Sequence, residues 1–256
     1  MTNFMATKVN IKPNPTVHLV DFEAKNVETL RQLMKGKTHG GSPDAWLNLG
    51  FTVPLEFVGI TYEVYCSRVC SHQMVRHRIG TSFIQHSGRF GYYKECGDGA
   101  YTFILPRSLI KERGKEIEGL FSEVISKYEL LASSKVPLEE ARRVIPESIQ
   151  TFLIVKFNLR SLGSFLRQRL CSMAQPEIRY VALDMFSQLS KKFNELQIDA
   201  KLVNKYLLPP CATMGYCLNV EKANKECLRN GLFRAIEEHA PEDRVNELKK
   251  FVESFA

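Results

Sequence analysis

Two stretches of this chain alternate apolar and polar residues at the period of a β-strand and then run straight into a helix-capping residue. These two junctions constrain the fold more than any other feature. In residues 57–65, Val58, Ile60, Tyr62 and Val64 take one face and Gly59, Thr61 and Glu63 the other. Ser67 then stands where it can cap a helix to about His77, with Val69 and Met74 inward and Gly80 as its stop. In residues 148–157, Ile149, Thr151, Leu153, Val155 and Phe157 share a face, and Asn158 is suited to cap a helix through about Cys171.

The remaining elements fit around these. An edge strand is expected at 16–22, a short helix at 26–35 ended by Gly36, and a loop at 37–44 around Gly40, Gly41 and Pro43. Residues 81–103 are aromatic and show no regular period. Pro106 opens a helix of about five turns on the stripe Ile117, Leu120, Phe121, Val124, Ile125, Tyr128 and Leu131. Another runs from Pro137 until Pro146 ends it, and a third from Pro176 to about Gln197 buries Ile178, Val181, Met185, Phe186, Leu189 and Phe193. The sum is an α+β fold, a small mixed or antiparallel sheet with several long helices. One domain over 1–256 is expected, with a motif-bearing core at about 50–185 and a cysteine-containing tail at about 200–256.

Thirty-five Lys and Arg against 28 Asp and Glu give a formal charge of +7, which favours anionic partners without choosing between nucleotides and nucleic acid. No run approaches the roughly 18 apolar residues of a membrane span, and the first fifteen residues lack a signal-peptide pattern, so the expected location is the cytoplasm, with no membrane partner. Seven cysteines without a CxxC pair read as reduced thiols. Cys211, Cys217 and Cys227 are spaced unlike a common zinc motif; they read as buried free thiols, and no metal site is expected.

The chemistry concentrates in Gln73-Met-Val-Arg76-His77-Arg78, followed by Gln85-His86-Ser87-Gly88-Arg89-Phe90. Gln73, Arg76 and His77 share a helix face at i, i+3 and i+4. So many cations in a short stretch repel one another unless an anion lies between them, and the planar arginine fork matches phosphate oxygens. From charge alone a solvated basic helix end or a nucleic-acid patch is an equal reading.

The residue pattern resembles the flavin-dependent thymidylate synthases: Arg-His-Arg, then after eight residues Ser-Gly-Arg and an aromatic. A second block, Asn158-Leu-Arg160-Ser-Leu through Ala174-Gln175-Pro-Glu177-Ile178-Arg179, is similar to the family's Asn-x-Arg-Ser-Leu helix and Ala-Gln-x-Glu-Ile close. Ala141-Arg142 with Pro146, and Pro54-Leu-Glu56-Phe, resemble two further elements in the family's order.

The resemblance implies reductive methylation of dUMP to dTMP with 5,10-methylenetetrahydrofolate as carbon donor, FAD as hydride carrier, NADPH as reductant and tetrahydrofolate as by-product. It places Gln73, Arg76, Gln85, Ser87, Gly88, Arg89, Arg142 and Arg169 on dUMP, with Arg169 activating the uracil ring. Arg76, His77, Arg78, Asn158, Arg160 and Ser164 fall where FAD is held. It further implies a homotetramer whose sites are built from several subunits, and no specific nucleic-acid binding. Arg160 and Arg169 are nine residues apart and are expected on opposite faces of one helix.

The chain departs from the family's pattern in places. Phe51 stands where many members have His, Gln85 and His86 where Asn-Glu or Gln-Glu is common, Phe90 for Tyr and Ser164 for Asn. These changes leave room for a related pyrimidine modification such as hydroxymethylation. A non-catalytic nucleic-acid-binding protein is the rival from another class; it predicts steep salt dependence and no bound flavin.

Overall fold

A computed structural model describes residues 8–26, 52–197, 206–213, 215, 217 and 225–255. The helix expected at 26–35 lies, but for Asn26, outside them, as do the loop at 37–44 and Phe51. Among the described residues six strands form two sheets. Strands β1 (Val9–Lys12) and β5 (Tyr101–Ile104) pair in parallel. Strands β2 (Thr16–Phe22), β3 (Gly59–Ser67), β6 (Gln150–Asn158) and β4 (Thr81–Gln85) form an antiparallel sheet in the order β2-β3-β6-β4. Both long strands are the expected ones. Ile149, Thr151, Leu153, Val155 and Phe157 are completely buried, as one-faced alternation requires.

Each long strand hands over to a helix at its capping residue. Ser67 accepts from the Cys70 N–H at 3.1 Å to start α1 (Arg68–Met74), and Asn158 accepts from the Ser161 N–H at 2.8 Å to start α4 (Leu159–Arg169). Between them lie α2 (Arg107–Ser133) and the single turn α3 (Leu138–Ala141), extended by a 3-10 turn, Arg142–Val144. After α4 come α5 (Pro176–Glu195), the short α6 (Pro210–Thr213), α7 (Lys225–His239) and α8 (Val245–Glu253). Helix α5 is buried nearly all round from Glu177 to Ser190. It lies in the main core with the sheet's inner face and with apolar residues of α7 and α8. A second apolar cluster joins β5 and α2 around Tyr101, Phe103, Phe121, Ile125 and Tyr128.

Several expectations are corrected. Residues 81–103 contain two strands: β4 is an edge strand whose outward residues include the exposed Ile84, and β5 is buried at all four positions, so neither shows an apolar–polar alternation. Helix α2 has 27 residues, about seven turns, and Leu120 is exposed on it. Helix α1 ends at Met74, earlier than expected, and Val69 faces outward while Cys70 and Met74 face in. Gly80 does not stop that helix. It adopts φ +67° and packs on Asn158, where a Cβ would come within 2.5 Å of the Asn158 amide nitrogen.

Candidate active site

The approach at Gly80 brings the two basic helices together. Its carbonyl accepts from the Asn158 N–H at 3.0 Å and the Ser161 hydroxyl at 2.7 Å, so the Arg76-His77-Arg78 turn lies across the N-terminus of α4. The result is a cleft of about 930 Å³ whose lining includes Arg76, His77, Arg78, Asn158, Arg160, Ser164 and Arg169, together with Glu56 and Tyr206. Every residue expected to hold a flavin lines it.

Arg169 is fixed at the end of α4. Its Nε donates to His77 Nε2 at 3.0 Å and its Nη2 to the Gln73 carbonyl at 3.2 Å. Burial lowers its pKa from the ordinary arginine value. Burial, and then the charge of Arg169, bring His77 down to about 4. The ring is therefore neutral at pH 7, and since Nε2 accepts, its proton sits on Nδ1. Phe165 holds it edge-on at 5.0 Å. Arg76 and Arg78 are exposed and pair with no carboxylate among the described residues, so they present guanidinium groups to the cleft. Arg160 pairs with Glu56.

Arg160 and Arg169, expected on opposite faces, both line this cleft. Helix α4 runs along it, and His77 and the Gln73 carbonyl draw the long Arg169 side chain round.

The other expected nucleotide contacts, Gln85, Ser87, Gly88, Arg89 and Arg142, do not line the cleft. Gln85 donates to the Ser71 hydroxyl of α1 at 3.0 Å. Gly88 packs against Tyr93, whose hydroxyl a Cβ would meet at 2.4 Å, and that hydroxyl accepts from Arg68 at 2.6 Å. Arg89 pairs with Glu139 at 2.6 Å, on an exposed surface where such a pair is weak. Arg142 follows three residues later. His86 sits 3.4 Å from Glu95, away from the cleft. The expected residues thus fall into two groups, one lining the cleft and one outside it, and Gln73 meets the cleft only through its carbonyl, which accepts from Arg169.

Sequence reasoning assigned no role to Glu56, Tyr206, Arg68 or Tyr93. Glu56 stood in a quoted motif, and its charge opposite Arg160 was the signal available. Nothing around Tyr206 signalled that its ring packs against Gly163, where a Cβ would lie 2.3 Å from it.

The tail cysteines are not buried. Cys171, Cys211 and Cys217 are half-buried around a cleft of about 300 Å³ beside Arg169, and Cys227 is exposed with its sulfur 2.7 Å from the Ser172 hydroxyl. This part of the chain packs at the rim of the core, where thiols stay within reach of solvent. No group of three His, Cys, Asp or Glu spaced for a metal ion occurs among the described residues, and no helix among them is long and apolar enough to cross a membrane.

The family described as thymidylate synthase complementing protein matches residues 10–194. The chain belongs to that family. It is 36% identical over 188 residues to the flavin-dependent thymidylate synthase of Pyrococcus furiosus, covering 72% of this chain and 74% of that one. With the flavin-dependent thymidylate synthase of Thermococcus onnurineus the identity is 39% over 175 residues, 67% and 69% of the two chains. Among solved structures, the UMP/dUMP methylase PolB from Streptomyces cacaoi, bound with 5-Br UMP, superposes with a TM-score of 0.61 at 20% identity, over 78% of this chain and 99% of that one. That likeness is one of fold. The family match stops at the end of α5, so α7 and α8 lie beyond it.

Proposed function

We propose that the protein methylates dUMP to dTMP, taking the carbon from 5,10-methylenetetrahydrofolate and the reducing equivalents from FAD that NADPH has reduced. The observation that carries this reading is the cationic cleft with Arg169 held at one end by a neutral His77. A guanidinium fixed by its Nε and one Nη2 hydrogen bond keeps its remaining N–H groups for the electron-rich edge of a pyrimidine ring, where negative charge grows as C5 becomes nucleophilic.

The residues of the cleft fit a flavin dinucleotide. Arg76 and Arg78 offer guanidinium groups that pair with no carboxylate among the described residues, and the start of α4 offers backbone N–H groups beyond the one Asn158 satisfies. Arg76, His77, Arg78, Asn158, Arg160 and Ser164 would hold it. Reduced flavin, when bound, supplies the hydride that completes the methyl group. Gln73, Arg76, Gln85, Ser87, Gly88, Arg89, Arg142 and Arg169 would hold dUMP.

The second cluster lies apart from the cleft within one chain, and apolar side chains are exposed at both: Ile79 at 92% in the cleft, and outside it Phe90 at 78%, beside Arg89, and Ile84 at 70%, on β4. Both features support a homotetramer in which Ser87, Gly88, Arg89 and Arg142 of one copy complete the cleft of another. We place this assembly in the cytoplasm, as one domain per chain.

The test is to incubate the protein with dUMP, methylenetetrahydrofolate, FAD and NADPH and to identify both products. Expected are dTMP and tetrahydrofolate. Stoichiometric dihydrofolate would mean that the folate, not the flavin, supplied the hydride, and hydroxymethyl-dUMP would move the reading to the related modification.

A further inference from the structure

The run Ala174-Gln175-Pro176-Glu177-Ile178-Arg179 has three polar side chains, none of which lines the cleft except through what it holds. Gln175 accepts from the Gln73 side-chain amide at 3.3 Å. Glu177, only 3% exposed, accepts from both the Ser67 N–H at 2.8 Å and the Ser67 hydroxyl at 2.6 Å. That hydroxyl is the cap of α1, so the carboxylate fixes where the helix leading to Arg76 and His77 begins.

Arg179, 4% exposed, faces the other wall. Its guanidinium donates to the Cys171 carbonyl at 3.2 Å, to the Ser172 carbonyl at 2.5 Å and to the Ala174 carbonyl. These belong to the turn that follows α4 immediately after Arg169, close to the helix's negative dipole end, which favours a cation. A fourth bond reaches the Gly231 carbonyl of α7. A Cβ at Gly231 would come within 2.7 Å of Ser172 Cβ and 3.3 Å of Arg179 Nη1, so only glycine lets α7 lie this close to the turn.

Burying a carboxylate and a guanidinium that do not pair with each other is costly, and an apolar helix start would serve packing alone. What the two charges add is a fixed relation between two walls: one holds the origin of α1, the other the turn behind Arg169. We propose that Glu177 and Arg179, backed by α7 through Gly231, are positioning residues that set the Arg169–His77 contact without touching substrate. As a role in catalysis this rests on the function proposed above; as a statement about the contact it does not.

The test is built on that difference. In the ligand-free protein, the His77 ring is followed by NMR against pH in wild type, Glu177→Gln and Arg179→Lys. In wild type His77 titrates far below the ordinary histidine range. In either variant, loosening of the contact raises its pKa by at least one unit while the fold is retained. Single-turnover rates at saturating dUMP fall about tenfold or more, with the dUMP dissociation constant changed less than about threefold. Should the buried-charge variants fail to fold, Ser67→Ala and Gly231→Ala, which perturb the same two walls without removing a buried charge, are held to the same criterion. Folded variants with an unshifted His77 overturn the proposal whether or not the enzyme makes dTMP. A shifted His77 in a protein that makes none supports the brace and sinks only the reaction.

Discussion

Arg169 donates from Nε to the Nε2 of His77 across 3.0 Å, a bond that exists only while the imidazole is neutral. Partial burial, and then the neighbouring cation, keep it so, with the pKa down at about 4. In the unfolded chain the same ring takes its proton at about 6.5. Between those values the unfolded state binds the extra proton, so His77 contributes stability that is fully present above ~6.5 and is lost as pH falls toward 4.

The first prediction follows from this window. His77→Gln, which keeps an acceptor but cannot titrate, should lose less stability between pH 7 and pH 4.5 than wild type does. Urea midpoints at the two pH values give the comparison. Equal losses would show that His77 is not held neutral by the fold.

The second prediction separates two glycines. Gly80 and Gly99 both have positive φ, +67° and +81°, but a Cβ at Gly80 strikes Asn158 while one at Gly99 meets nothing within 4 Å. Gly99→Ala should cost only backbone strain, on the order of 1 kcal/mol. Gly80→Ala should cost more, up to about 3 kcal/mol, and should also weaken FAD binding by moving Arg76, His77 and Arg78 off the start of α4. Denaturant titration and flavin fluorescence measure the two effects; equal costs with unchanged flavin binding would remove Gly80 from the site's construction.

The third concerns the thiols. Cys66 and Cys70 are fully buried and burial pushes both thiols up, while Cys96 is pushed up to about 11. None can supply a thiolate at neutral pH. Iodoacetamide at pH 7.5 should label Cys227 first and leave these three unmodified in the folded protein. Cys171→Ser should keep at least partial turnover; its complete loss in a folded, FAD-binding variant would mean a nucleophilic thiol had been overlooked.

The two strand-to-helix junctions were legible because everything that defines them is local: one-faced alternation in β3 and β6, then a cap within one residue of the strand's end. Strands β4 and β5 were not, since one lies at an edge with Ile84 exposed and the other is buried at every position. The residues of the basic cleft were readable as types at fixed spacings. Their division into two groups was not, because it depends on long-range placements such as Gln85 on the Ser71 hydroxyl rather than in the cleft. Glu177 and Arg179 were visible as motif members, but their work is done across 110 residues to Ser67 and 52 to Gly231, distances that no local pattern encodes.

The last prediction divides binding from chemistry among the arginines. Arg169 is held by His77 and the Gln73 carbonyl inside the cleft, whereas Arg142 lies outside it, directly after the helical turn that carries Glu139, the partner of Arg89. If Arg169 meets the uracil as negative charge develops there, its contribution grows toward the transition state, while Arg142 anchors a phosphate whose charge does not change. Arg169→Ala should therefore lower the single-turnover rate on the order of a hundredfold, with a smaller effect on dUMP affinity. Arg142→Ala should do the reverse. Arg169→Lys should rescue poorly, because an ammonium cannot donate to His77, to the Gln73 carbonyl and to substrate in one plane. The dissociation constant for dUMP and the single-turnover rate, measured for the three variants, decide the matter. An Arg169→Ala protein that binds dUMP poorly yet turns over normally at saturation would assign this arginine to anchoring and leave the activation of the ring to another group in the cleft.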